Sequence, residues 1–160
     1  MRISALLVLA CAYMACSKKV SLTWTDCSVA GAHGKITSVD VSPNPPILGQ
    51  NTTIAGHAVL DKAITDGQLT VGASFAGLPV PVRPSVLSAC GSTEVQLPLN
   101  LGTILVNGLK CPQAKGNATL LEIVNIPDIA PLGTYVASLS GIDQDSEPTV
   151  CVNLHIKVSA

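Results

Sequence analysis

Residues 67–77 read "GQLTVGASFAG", and their alternation decides the fold class. Leu69, Val71, Ala73 and Phe75 alternate with Gln68, Thr70, Gly72 and Ser74. Period two is the repeat of a half-buried β-strand, whose successive side chains point to opposite faces. The next run, "LPVPVRPSVLSAC", stays extended, with Leu78, Val80 and Val82 on one side and Pro79 and Pro81 on the other. Proline cannot donate to a ladder, so this is expected to be an edge strand or one bordering an opening.

The same reading extends outward in both directions. "KITSVDVSP" forms a strand that stops at Pro43, and "PNPPILGQ" is a corner because proline excludes helix and biases its predecessor to extended geometry. "NTTIAGHAVL" is a strand with a soft spot at Gly56. Residues 91–110 form a hairpin-like excursion between two cysteines, and "ATLLEIVNIPDIAPLGTYVASLSGID" supplies two strands around a Pro/Gly corner. "PTVCVNLHIKV" alternates through Val150, Val152, Leu154, Ile156 and Val158. With no amphipathic helix and no repeat, the expectation is an all-β, immunoglobulin-like antiparallel two-sheet sandwich of seven or eight strands. The proline run at 43–46 is then a corner between strands rather than an interdomain linker.

Composition sets the broad class. The 160 residues suffice for one domain. They are 48% hydrophobic, 12% charged and 2% aromatic, so the interior is aliphatic and the chain too apolar to be disordered. "MRISALLVLACAYMACS", residues 1–17, has a basic start, an apolar stretch and small residues at its end, the pattern of a secretory signal. Cleavage is expected after Ser17, with Ala12 the alternative; "VLAC" and "YMAC" also resemble bacterial lipoprotein boxes. Residues 18–160 form the single mature domain, with eight basic and ten acidic residues once Arg2 is removed. A net charge of −2 and no basic patch give no electrostatic reason to bind nucleic acid.

Four cysteines remain after the signal: Cys27, Cys90, Cys111 and Cys151. In a secreted chain these read as two disulfides in one of three pairings. A zinc site is disfavoured, because no Cys-x-x-Cys or suitably spaced His occurs. The sequons at Asn51 and Asn117 mark expected glycosylation sites. Catalysis finds no support. "GASFAG" approximates a nucleophile elbow but is followed by "LPVPVRP", which cannot be the required helix. His33, His57 and His155 have no motif partner, and Asp143, Asp145 and Glu147 read as a solvated turn. No enzyme activity and no cofactor or metal are expected.

"WTDCSVAGAHGKITSVDVSPNPPILGQNTTIAG" resembles the opening of the ML lipid-recognition family, which includes secreted sterol carriers and fungal phosphatidylglycerol/phosphatidylinositol transfer proteins. "GLPVPV" at 77–82, "CPQAKGN" at 111–117 and "IPDIAPLGTYVAS" at 126–138 resemble later landmarks of the same family, so that the likeness spans roughly residues 24–158. The resemblance implies splayed sheets around an apolar cavity, and the pairs Cys27–Cys151 and Cys90–Cys111. It implies a carrier or transfer protein for a sterol or phospholipid ligand, sterol transport first, monomeric and in transient contact with a membrane or membrane transporter. Its compartment would be extracellular or the lumen of a lysosome or vacuole. Departures are the lack of the sterol carriers' third disulfide, the wide Cys90/Cys111 spacing, and aliphatic Val82 and Leu139 where those carriers have aromatics. Cavity lining is expected from Val41, Ile54, Val80, Val82 and Leu139, with Phe75 and Tyr135 as further candidates; ordinary sandwich core is the competing reading for each. A secreted recognition domain with a filled core is the alternative to a carrier.

Overall fold

A computed structural model describes residues 18–83, 85–97 and 102–160; the expected signal segment 1–17 lies outside the described residues. Among the described residues there are eleven strands: β1 (Lys19–Asp26), β2 (Gly34–Ser42), β3 (Asn51–Leu60), β4 (Gly67–Phe75), β5 (Leu78–Val80), β6 (Val86–Ser88), β7 (Ser92–Gln96), β8 (Thr103–Asn107), β9 (Gly116–Asn125), β10 (Gly133–Asp143) and β11 (Pro148–Ser159). They form two antiparallel sheets. One runs β1-β11-β10-β4-β5, with β6 also on β4; the other runs β2-β3-β9-β8-β7.

The period-two stretches become the central strands. On β4, Leu69 and Val71 are buried; on β11, Val150, Val152, Leu154, Ile156 and Val158 all are. The inward faces of the two sheets meet in one core that includes Ile36, Ile54, Leu120, Val124, Leu139 and Leu154. β1 is a strand beyond the sequence-based expectation, although Val20, Leu22 and Trp24 alternate cleanly against β11.

The proline-rich segment after β4 is an edge, as its chemistry requires, but an interrupted one. β5 pairs with Ala73–Phe75 and β6 with Gln68–Thr70, and the chain leaves the ladder between them. There Arg83 crosses to the other sheet and exchanges two backbone hydrogen bonds with Gln96, donating at 3.3 Å and accepting at 2.9 Å. The sandwich is thus stitched along this border at Arg83 and Gln96.

The two ends of the sandwich differ. One end carries the β10–β11 turn, the start of β4 and both disulfides, Cys27–Cys151 and Cys90–Cys111. Here the Lys62 ammonium lies 2.7 Å from Asp143, 2.7 Å from Asp145 and 2.6 Å from Glu147. His33 bridges Asp61 at 2.8 Å and Glu147 at 3.0 Å. The expected solvated turn is therefore an ion-pair network in which Asp143 is buried. Burial would raise the Asp143 carboxyl, but hydrogen bonds from Lys62 and from the backbone N–H groups of Glu147 and Asp145 outweigh it and hold it below the usual range. The other end gathers the 43–50 corner, the β4–β5 turn and the 126–132 corner. Gly49 N–H donates to the Ile126 carbonyl at 2.7 Å and Ala76 N–H to the Thr134 carbonyl at 2.9 Å.

Candidate functional site

At this second end an apolar cavity of about 70 Å3 lies between the sheets. Val80, Ala73, Tyr135 and Ala137 line it from one sheet, and Ile104, Glu122 and Val124 from the other. Ile126 and Ala130 of the corner complete its rim. Two smaller gaps continue inward, one beside Val71, Val106 and Leu139, the other beside Ile36, Ile54 and Val152. Glu122 and Leu154, one on each sheet, line all three spaces. They form a string of gaps along the middle of the sandwich.

The residues expected to line a cavity separate by depth. Val80 and Tyr135 line the main cavity. Phe75 stands behind Tyr135, ring centroids 4.6 Å apart, and covers Gly133, where a Cβ would come within 2.6 Å of Phe75 Cε2. Ile54 and Leu139 line the deeper gaps. Val41 is half-buried beside Ile54 on the inward face but borders none of these spaces, and Val82, only 7% exposed, belongs to the packed core. Leu78 departs from its expected alternation with Val80 and Val82: it is 71% exposed at the first position of β5, directly after the β4–β5 turn. Asn51 and Asn117 are both exposed, and Asn51 Oδ1 accepts from Asn125 Nδ2 at 2.9 Å.

Glu122 is the residue that sequence reasoning does not anticipate. In "ATLLEIVN" either parity offers apolar side chains, Leu121 and Ile123 or Leu120 and Val124, so alternation alone would turn the glutamate to water. The structure takes the other parity. Ala118, Leu120, Glu122 and Val124 are buried, and the cross-strand neighbours of Glu122 are the buried Ile54 and Val106. Burial pushes its carboxyl up to about 7, because the ionised form loses its water without gaining a partner. Tyr135, the other titratable side chain on the cavity wall, is also raised by burial, and its hydroxyl donates to the Pro131 carbonyl at 2.8 Å.

Among the described residues, large apolar side chains are exposed at this end. Leu78 is 71% exposed, Ile129 71% and Leu132 52%, all on the turns that frame the open end. Lys18 fastens the 126–132 corner, donating at 2.9 Å to the carbonyls of both Asp128 and Ala130.

The chain matches the family model of the ML domain over residues 21–158. It is 32% identical over 117 residues to a phosphatidylglycerol/phosphatidylinositol transfer protein of Kluyveromyces lactis, covering 73% of this chain and 62% of that protein. Among solved structures, a Niemann-Pick type C2 protein from Japanese carpenter ant superposes with a TM-score of 0.53 at 14% identity, covering 83% of this chain and 96% of that one. Chicken MD-1, solved in complex with lipid IVa, superposes with a TM-score of 0.55 at 15% identity, covering 88% and 91%. At these identities the two structures speak to the fold.

Proposed function

The chain belongs to the ML domain family, and on that premise we propose that it is a lipid carrier, which holds the apolar part of one lipid between its sheets and moves it between membranes. The observation that carries this reading is the apolar cavity, walled by both sheets near their strand ends. Apolar surface withdrawn from water there contributes roughly 25 cal/mol per Å2. At about 70 Å3 the cavity is smaller than the roughly 300–1,000 Å3 typical of small-molecule sites. Loading therefore requires the sheets to part at the mouth. The exposed Leu78, Ile129 and Leu132 support transient docking of that mouth on a membrane, where they would lose water as the lipid transfers. Two disulfides support an oxidising setting, outside the cell or in a secretory or lysosomal lumen.

A sterol is the first ligand of this proposal. Its smooth, rigid, apolar body suits aliphatic walls. The second reading is a diacyl phospholipid with its chains inside and its headgroup at the mouth; the name of the Kluyveromyces relative favours it. Mass spectrometry of lipids extracted from protein purified without detergent tests both. A single co-purifying sterol supports the first reading and a co-purifying phospholipid the second. Protein that carries no lipid, and moves none between labelled donor and acceptor vesicles, refutes the carrier.

A further inference from the structure

An acid in the middle of an apolar cavity asks for a partner. Glu122 is only 9% exposed, and its neighbours across the gap are Ala137, Leu139 and Leu154 of the opposite sheet. Among the described residues lining the three spaces there is no Lys, Arg, His or Asp, and Tyr135 is already bonded to Pro131. No element packed against Glu122 therefore faces it with a charge. A buried polar group without a hydrogen-bond partner is destabilising, and natural interiors seldom keep one. Here the acid sits where the main cavity meets the two smaller gaps, and a bound molecule can supply what the protein does not.

We propose that Glu122 is the polar anchor of this cavity, holding the hydroxyl of a neutral lipid that enters polar end first. The proposal rests on the carrier reading. A protonated carboxyl offers one O–H donor and a carbonyl acceptor, and an alcohol offers the same pair, so the two satisfy each other reciprocally. The ligand class is lipid alcohols, sterols and long-chain alcohols included, with the hydrocarbon tail directed toward Val80, Ile126 and Ala130. A lipid presenting pure hydrocarbon to this depth would strand the carboxyl. One presenting an anion would place a second desolvated charge beside it.

The test uses the full mature chain at pH 5.5, where the Glu122 carboxyl is neutral. Hexadecan-1-ol and hexadecane, which differ by one hydroxyl, are compared as competitors of the apolar fluorophore N-phenyl-1-naphthylamine. The wild type is expected to prefer the alcohol on the order of tenfold, as one or two hydrogen bonds to a buried group provide. Glu122→Leu should bind both equally while keeping its grip on the alkane; Glu122→Gln, whose amide also donates and accepts, should keep most of the preference. If the wild type binds the fluorophore but does not distinguish the two competitors, or if Glu122→Leu distinguishes them as the wild type does, the anchor is refuted and the carrier survives. If the wild type binds neither fluorophore, alcohol nor alkane, the carrier reading fails and the anchor with it.

Discussion

Replacing Glu122 by Gln should make the domain more stable in neutral and alkaline solution than in acid, relative to the wild type. The unfolded chain releases this proton near the ordinary 4.5, whereas the folded chain holds it to about 7. Between those values the unfolded state binds fewer protons, so wild-type stability falls as pH rises. The contribution is fully present below 4.5, is lost across the interval to about 7, and stays lost above it. At about 1.4 kcal/mol per pH unit the loss is somewhat over 3 kcal/mol, a large share of the roughly 5–15 kcal/mol that holds a typical domain together. The amide of the Glu122→Gln variant keeps the side chain's size and never ionises. Guanidinium unfolding of both proteins from pH 4 to 8.5, disulfides intact, would measure this. The difference in unfolding free energy should widen in favour of the variant by about 3 kcal/mol, or roughly 10 °C in melting temperature. Asp26, His33 and Asp143 titrate in both proteins and cancel in the difference. Curves that stay parallel within about 1 kcal/mol would mean that Glu122 is hydrated, and that the parity of β9 is reversed.

Val80→Asp, on the half-buried cavity wall, should abolish lipid binding with little change in circular dichroism, whereas Val82→Asp, in the packed core, should lower the melting temperature first; fluorescent-lipid binding beside thermal melts separates them. Leu78→Asp with Leu132→Asp should slow lipid transfer between vesicles several-fold while leaving binding of a soluble fluorophore intact, because both side chains are exposed beside the cavity rather than inside it. Removing Cys27–Cys151, which spans 124 residues, should destabilise the domain by about 5 kcal/mol, and removing Cys90–Cys111, which spans 21, by about 3 kcal/mol; chemical denaturation of the paired Ala variants reads both. The His33 imidazole is held above its ordinary 6.5 by its hydrogen bond to Asp61 and by the charges of Asp61 and Glu147. Its stabilising share is complete below 6.5 and fades as pH rises through the raised value; Asp61→Asn should lower that value in an NMR titration.

The strands with strict alternation were legible because burial of one face leaves a period-two record; β4 and β11 are the plainest cases. The 43–46 corner was legible because proline excludes both helix and ladder. What escaped lies where the record is ambiguous. β1 abuts an apolar leader, and its Val20/Leu22/Trp24 stripe is short. β9 is apolar on both faces, so its parity depends on pairing with β3 and β8, which no local pattern encodes. Leu78 continues the alternation of Val80 and Val82 but is 71% exposed at the start of β5, and alternation carries no information about where a covering neighbour stops. The Lys62 network joins residues more than eighty positions apart in the chain, beyond the reach of motif spacing.

Of the two disulfides at the end remote from the cavity, Cys27–Cys151 joins neighbouring strands of one sheet, whereas Cys90–Cys111 ties the link between β6 and β7 to the link between β8 and β9, so that a carrier of this build would be a clamp hinged at Cys90–Cys111. Such a clamp would part its sheets at the free end, each tilting with its own ladder intact. Beside the mouth, the Arg83–Gln96 bridge contributes only two backbone hydrogen bonds across the gap. Opening thus exposes aliphatic side chains far more than it breaks polar contacts, and a membrane lessens that exposure in a way water cannot. The clamp is therefore easiest to open when pressed against the surface from which it would load.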